Sequence, residues 1–235
     1  MTTRRQFLQS VSAAGALLAV SGRPAWAEAS VMTKKAQSSM TPDQALAALK
    51  QGNERFAAGK LLQRDLMAQV RATASGQFPF ASVLGCIDSR VPPELVFDQG
   101  IGDIFSPRIA GNFANTDIIG SLEFTIKLAG AKLIVVLGHT RCGAVMGACD
   151  NAQLGNLTQT LSNIAPAVYA ATGVPGDRSS KNAAFVREVA QQNVRLTVQA
   201  ISERSAVLRG LVEEGRLKIV GAMHDVGSGR VSFTA

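Results

Sequence analysis

The stretch ASVLGCIDSRVPPE, residues 81 to 94, sets a thiol, a carboxyl and a guanidinium at alternate positions, Cys86, Asp88 and Arg90, where an apolar run gives out. Farther along, HTRC at 139 to 142 closes the run KLIVVLG with an imidazole and a thiol three positions apart. Zinc accepts this mixture of nitrogen and sulfur in tetrahedral geometry, and a catalytic site keeps three protein ligands with the fourth position open. Cys86, His139 and Cys142 form such a Cys2His set. Each is weak alone, since a lone cysteine is commonly a small buried hydrophobe. His224, in GAMHDVGSG, is the only other histidine. As a fourth ligand it would close the site, but no second ligand accompanies it, and it is expected to stay outside. Cys149 reads as a buried helix residue. A Cys142–Cys149 bridge is not expected, because seven helical residues separate the two by roughly 10 Å, beyond the reach of about 7 Å that a disulfide allows.

Alternation along an extended chain would point Cys86, Asp88 and Arg90 the same way. The elements that must position them follow from apolar periodicity. Thr41 caps a helix over TPDQALAALKQGNERFAAG, with Pro42 at its first position and a stripe through Ala45, Leu46, Leu49 and Phe56. A second helical stretch is expected near 61 to 74. Strand-like runs follow at FASVLGCID, DIFSPRIAG, KLIVVLGHT and KIVGAMHDV, with helical patterns at 115 to 129 and 180 to 213. Strands alternating with helices predict an α/β fold: a mostly parallel central sheet flanked by helices, preceded by an N-terminal helical arm. In such sheets ligands bind at the carboxyl edge where strand order reverses. If ASVLGCID and KLIVVLGHT are neighbours, Cys86 meets His139 and Cys142 there.

Composition bounds the rest. With 235 residues and 46% hydrophobic content the chain can bury a full core, and no segment is long and apolar enough to span a bilayer. Residues 1 to 27 read as an export signal: Arg4 and Arg5 precede the apolar run VSAAGALLAV, and AWA at 25 to 27 is a cleavage site. The paired arginines are of the twin-arginine type, a receptor-read address and not a membrane anchor. Export, to a bacterial periplasm, is the expectation. Residues 28 to 40 read as a flexible tether and 41 to 235 as one domain. Cleavage would remove three arginines and no acids, so the net charge of +7 would fall to +4, too little to argue for a nucleic-acid partner.

CIDSRVPPE, followed 53 residues after its cysteine by HTRCGA, resembles the β-class carbonic anhydrases, and GNERFAAG and RIAGN extend the likeness over residues 41 to 233. The resemblance implies one Zn2+ per chain on Cys86, His139 and Cys142, with Asp88 and Arg90 as the catalytic dyad. The reaction implied is reversible hydration of CO2 to bicarbonate and a proton, zinc-bound hydroxide adding to the carbon. It also implies a substrate wall of Gln77, Phe105 and Phe124 with Gly143 beside it. Phe124 stands where plant-like members carry a tyrosine, so that hydroxyl is missing here. In the family the glutamine comes from a neighbouring subunit, so a homodimer or higher homo-oligomer is implied. Val83 stands where another subset has a tryptophan beside a regulatory bicarbonate, so the plant-like, open-site subtype is implied here. Two alternatives stay open. One is hydrolysis of carbonyl sulfide or carbon disulfide on the same zinc site; the other is a non-catalytic zinc or thiol-redox protein.

Overall fold

The computed structural model describes residues 31 to 234, so the expected signal at 1 to 27 lies outside the described residues. Five strands, β1 (Ala81–Gly85), β2 (Ile104–Phe105), β3 (Leu133–His139), β4 (Lys218–His224) and β5 (Val231–Thr234), form one sheet in the order β2-β1-β3-β4-β5. Every pairing is parallel except that of β5 with β4. β3 is buried along its whole length, as its unbroken apolar sequence requires of a central parallel strand covered on both faces. Its side chains alternate between two cores. Leu133, Val135 and Leu137 pack with Ala45, Leu49 and Phe97 on one face; Ile134 and Val136 pack with Ile119, Leu122, Val194, Ile201 and Leu208 on the other.

Among the described residues ten α-helices cover these faces. Helix α1 (Lys34–Ser39) corrects the expectation of a flexible tether over this stretch. Its Gln37 is buried and donates to the carbonyls of Pro79 and Ala129 at 2.7 and 2.8 Å. Helix α2 (Pro42–Ala57) starts as expected, with Thr41 and Gln44 closing a reciprocal capping box. Helix α3 (Leu66–Thr73) is shorter than the 61 to 74 expected, because Asp65 caps it and Leu62 instead gives its N–H to Asp98 at 3.3 Å.

After α4 (Pro93–Val96) and β2, helix α5 (Thr116–Glu123) runs into a π-helical turn at Phe124–Leu128. Helices α6 (Gly143–Cys149), α7 (Gly155–Ser162) and α8 (Ala165–Ala170) follow β3. The single helical pattern expected over 180 to 213 is two helices, α9 (Ala183–Arg204) and α10 (Ala206–Glu213). Ser205 separates them: its hydroxyl caps α10 through Leu208 N–H and donates to Glu123 at 2.6 Å, offering the backbone an alternative to a continued helix.

Chain order reverses between β1 and β3, whose residues Ala81 to Gly85 pair with Leu133 to Leu137. That reversal brings the carboxyl ends of two adjacent strands together and leaves a crevice outside them.

Candidate active site

Strand β1 ends at Gly85, so Cys86 is the first residue beyond the sheet and not the last of the strand, as the alternation argument assumed. The segment after β2 holds the next residues in place. Ile109 N–H donates to Gly85 O, Gly85 N–H donates to Pro107 O, and Arg108 reaches across with Nε on the carbonyl of Cys86 and Nη2 on that of Asp88, both at 2.7 Å. The chain then turns, Val91 N–H donating to Asp88 O at 3.1 Å, so Arg90 meets Asp88 across a turn and not by strand alternation. Cys86 is buried, Asp88 is half-buried, Arg90 is exposed, and Ile87 between them faces solvent.

His139 ends β3, and Cys142 stands at the N-cap of α6 three residues on. The turn between them contains Arg141 at φ 56°, a left-handed conformation uncommon for a side chain of that size. The sulfurs of Cys86 and Cys142 lie 3.9 Å apart, and one donor atom from each of Cys86, His139 and Cys142 lies within 4.8 Å of the others. All three residues are buried. His139 Nδ1–H donates to Thr140 O at 3.0 Å, which leaves Nε2 as the acceptor of the ring, and that buried Nε2 has no hydrogen-bond partner. Two buried sulfurs and an unsatisfied imidazole lone pair converge as three electron-pair donors to a metal. A soft divalent cation satisfies such a set, so the donors present fit zinc.

Electrostatics agree. The thiol of Cys86 is held down to about 4, first by the hydrogen bond from Cys142 and, against the opposing effect of burial, by His139 and the N–H of Gly111. Cys142 is pushed up because it is the donor in that pair and is buried. The Gly111 contact, 3.3 Å from N to sulfur, needs a glycine: φ is +84°, and a Cβ would lie 2.4 Å from Ile164 Cδ1.

Asp88 is clamped. Arg90 donates to it from Nε at 2.9 Å and from Nη2 at 2.7 Å, the Arg90 backbone N–H adds a third bond at 2.9 Å, and Nη2 also reaches Arg141 O at 3.3 Å. The Arg90 hydrogen bond holds the Asp88 carboxyl well below the usual carboxylate range. Its Oδ2 stands 4.0 Å from His139 Nε2, beside the ligand cluster but not in it. A cleft of about 280 Å³ opens over Cys86 and Asp88, and its walls include Ala110, Gly143, Ala144, Leu157 and Leu161.

The family model described as carbonic anhydrase matches residues 81 to 231. Carbonic anhydrase 2 of Mycobacterium tuberculosis is 37% identical over 195 residues, covering 80% of this chain and 91% of that protein. The chain belongs to the carbonic anhydrase family. The carbonic anhydrase of Mycolicibacterium smegmatis is 35% identical, covering 82% of this chain and 93% of its own. Among solved structures, the β-carbonic anhydrase CafA of Aspergillus fumigatus superposes with a TM-score of 0.62 at 27% identity, over 82% of this chain and 89% of that one. A tetrameric β-carbonic anhydrase of Sordaria macrospora gives 0.61 at 25% identity, over 72% and 92%. The family member described here is thus of the β class.

Within one chain of this carbonic anhydrase, Gly143 is the one residue of the expected substrate wall that lines the cleft. Phe105 and Phe124 meet edge to face, 6.3 Å between ring centroids, in a separate cavity of about 670 Å³. Gln77 is exposed in the loop before β1. His224 pairs in register with His139 but is absent from the ligand cluster. It is buried without a partner for either ring nitrogen, and burial lowers its pKa, so it sits as a neutral core residue. Cys86, Cys142 and Cys149 are all free thiols. Arg108 is the residue bracing the site that spacing alone did not single out. Its only signal was its place in RIAGN, and its role depends on β2 lying beside β1.

Proposed function

We propose that this protein catalyses the reversible hydration of CO2 to bicarbonate and a proton. The observation that carries the reading is the convergence of Cys86, His139 and Cys142 within 4.8 Å beside an Asp88 clamped by Arg90. The three residues would hold zinc, which supplies a Lewis acid that lowers the pKa of a water to near neutrality when bound. The chain's own residues do the rest. Asp88 stays ionised, so it acts as a hydrogen-bond acceptor: Oδ1 takes two bonds from Arg90 and Oδ2 one, which leaves Oδ2 free to accept from the reacting water and aim it at the carbon. Arg90 fixes the carboxylate by a two-pronged pair. The apolar wall of Ala110, Ala144, Leu157 and Leu161 suits a small linear molecule without charge.

Three finer readings go with this one. The site is of the open type, supported by the engagement of Asp88 with Arg90 and by Val83 and Gln77. The chain acts as at least a homodimer, supported by large exposed apolar residues at Ile87, Leu95, Phe124 and Leu128 and by wall residues that stand outside the cleft of their own chain. It is exported folded through a twin-arginine signal, supported by Arg4 and Arg5 ahead of a modest apolar segment. Stopped-flow CO2 hydration by the zinc-loaded protein tests the central reading. A zinc-replete protein that hydrates CO2 no faster than buffer would overturn it.

A further inference from the structure

Beside the His139–Cys142 turn lies a second cavity of about 330 Å³, which shares no lining residue with the cleft. Thr140, Arg141, Arg187 and Asp225 supply its charged and polar groups, and Met146, Val186 and Ala190 its apolar floor. Among the described residues neither the Arg141 nor the Arg187 guanidinium has a hydrogen-bond or ion-pair partner. Arg141 and Arg187 are both exposed and line one concave space, and each guanidinium brings donors in a planar fork suited to oxyanions. The one carboxylate present, Asp225, is already engaged: Oδ1 accepts from Gly227 N–H, Ser228 N–H and the Ser228 hydroxyl, and Oδ2 from the Thr140 hydroxyl. The cavity keeps an excess of positive charge.

The frame is rigid where the arginines are rooted. Arg141 is held at φ 56°, its carbonyl accepting from Arg90 and its neighbour Thr140 donating N–H to His224 O at 2.9 Å. The Thr140 hydroxyl also accepts from Val226 N–H at 3.1 Å. Arg187 projects from the start of the 22-residue helix α9, whose Ala183, Val186 and Ala190 also line the space. The positive end of that helix adds to the field there. We propose that this cavity binds a small oxyanion through Arg141 and Arg187, at a site separate from the Cys86 cleft.

Inorganic phosphate is the probe, since the CO2 reaction does not consume it. Calorimetric titration into the zinc-loaded full chain at low ionic strength should give one phosphate per chain. Affinity should fall about tenfold or more in Arg187→Gln, and less in Arg187→Lys, which keeps the charge and loses the fork. CO2 hydration by Arg187→Gln in phosphate-free buffer should match wild type, which also shows that the variant folds. Undetectable phosphate binding in wild type, or equal affinity in wild type and Arg187→Gln, overturns the assignment, the latter by placing phosphate at the metal site instead.

Discussion

Arg108 donates from Nε to the main-chain carbonyl of Cys86 at 2.7 Å, so a side chain beyond β2 sets the direction of the peptide that carries one thiol of the Cys86–His139–Cys142 cluster. Its Nη2 does the same for Asp88. Ligand and acid are thereby held by one planar group. Arg108→Met should cost roughly 10- to 100-fold in zinc affinity or kcat/KM, as loss of a supporting contact around a metal site commonly does. Chelator competition together with CO2 hydration measures both; values within twofold of wild type would remove Arg108 from this role.

Cys142→Ser should lose both metal and activity, because a hydroxyl is a poor substitute for a thiolate on zinc. Zinc per chain after gel filtration is the measurement. Full occupancy would exclude Cys142 from the ligand set.

Asp88→Asn should keep zinc and lose CO2 hydration by about 10²-fold or more. An amide presents a donor where Oδ2 now presents an acceptor, and Arg90 loses its charged partner. Metal loss in this variant would instead show that Asp88 supports the ligand cluster.

Asp98 is buried and accepts from Arg55 Nε at 2.5 Å and from Arg64, tying α2 and the segment before α3 to the end of α4. Burial pushes its carboxyl up, but the bonds from Arg55, Arg64 and Leu62 N–H outweigh it and hold the pKa below the ordinary value. A folded pKa below the unfolded one gives stability that is fully present above the unfolded value, about 3.9, and is lost as pH falls through it toward the folded value. Asp98→Asn should therefore unfold more easily at pH 7, by about 3 kcal/mol, with the gap closing below about pH 4. Denaturant unfolding at the two pH values checks the sign.

Changing both Arg4 and Arg5 to Lys should leave active, zinc-loaded precursor in the cytoplasm, since a twin-arginine address is read by its receptor. Fractionation and zinc analysis decide it. Undiminished export with cleavage after Ala27 would assign the chain to the general secretory route.

Much of this was legible in the sequence because it is local. Thr41 caps a helix wherever α2 packs, and the unbroken apolar run at 133 to 137 is a covered parallel strand in any α/β arrangement. The spacing of Cys86, Asp88 and Arg90 with HTRC carried the chemistry, since ligand type and order are properties of the chain. Other features belong to tertiary structure alone. The burial of Gln37, which turns an expected tether into a docked helix, depends on the Pro79 and Ala129 carbonyls, 42 and 92 residues away. The work of Arg108 exists only because β2 pairs with β1. Likewise, only the fold shows that Phe105 and Phe124 stand outside the cleft of their own chain, or that Arg141 and Arg187 share a cavity. Periodicity reports which face of an element is apolar; which distant carbonyl or charge meets that face is decided by packing.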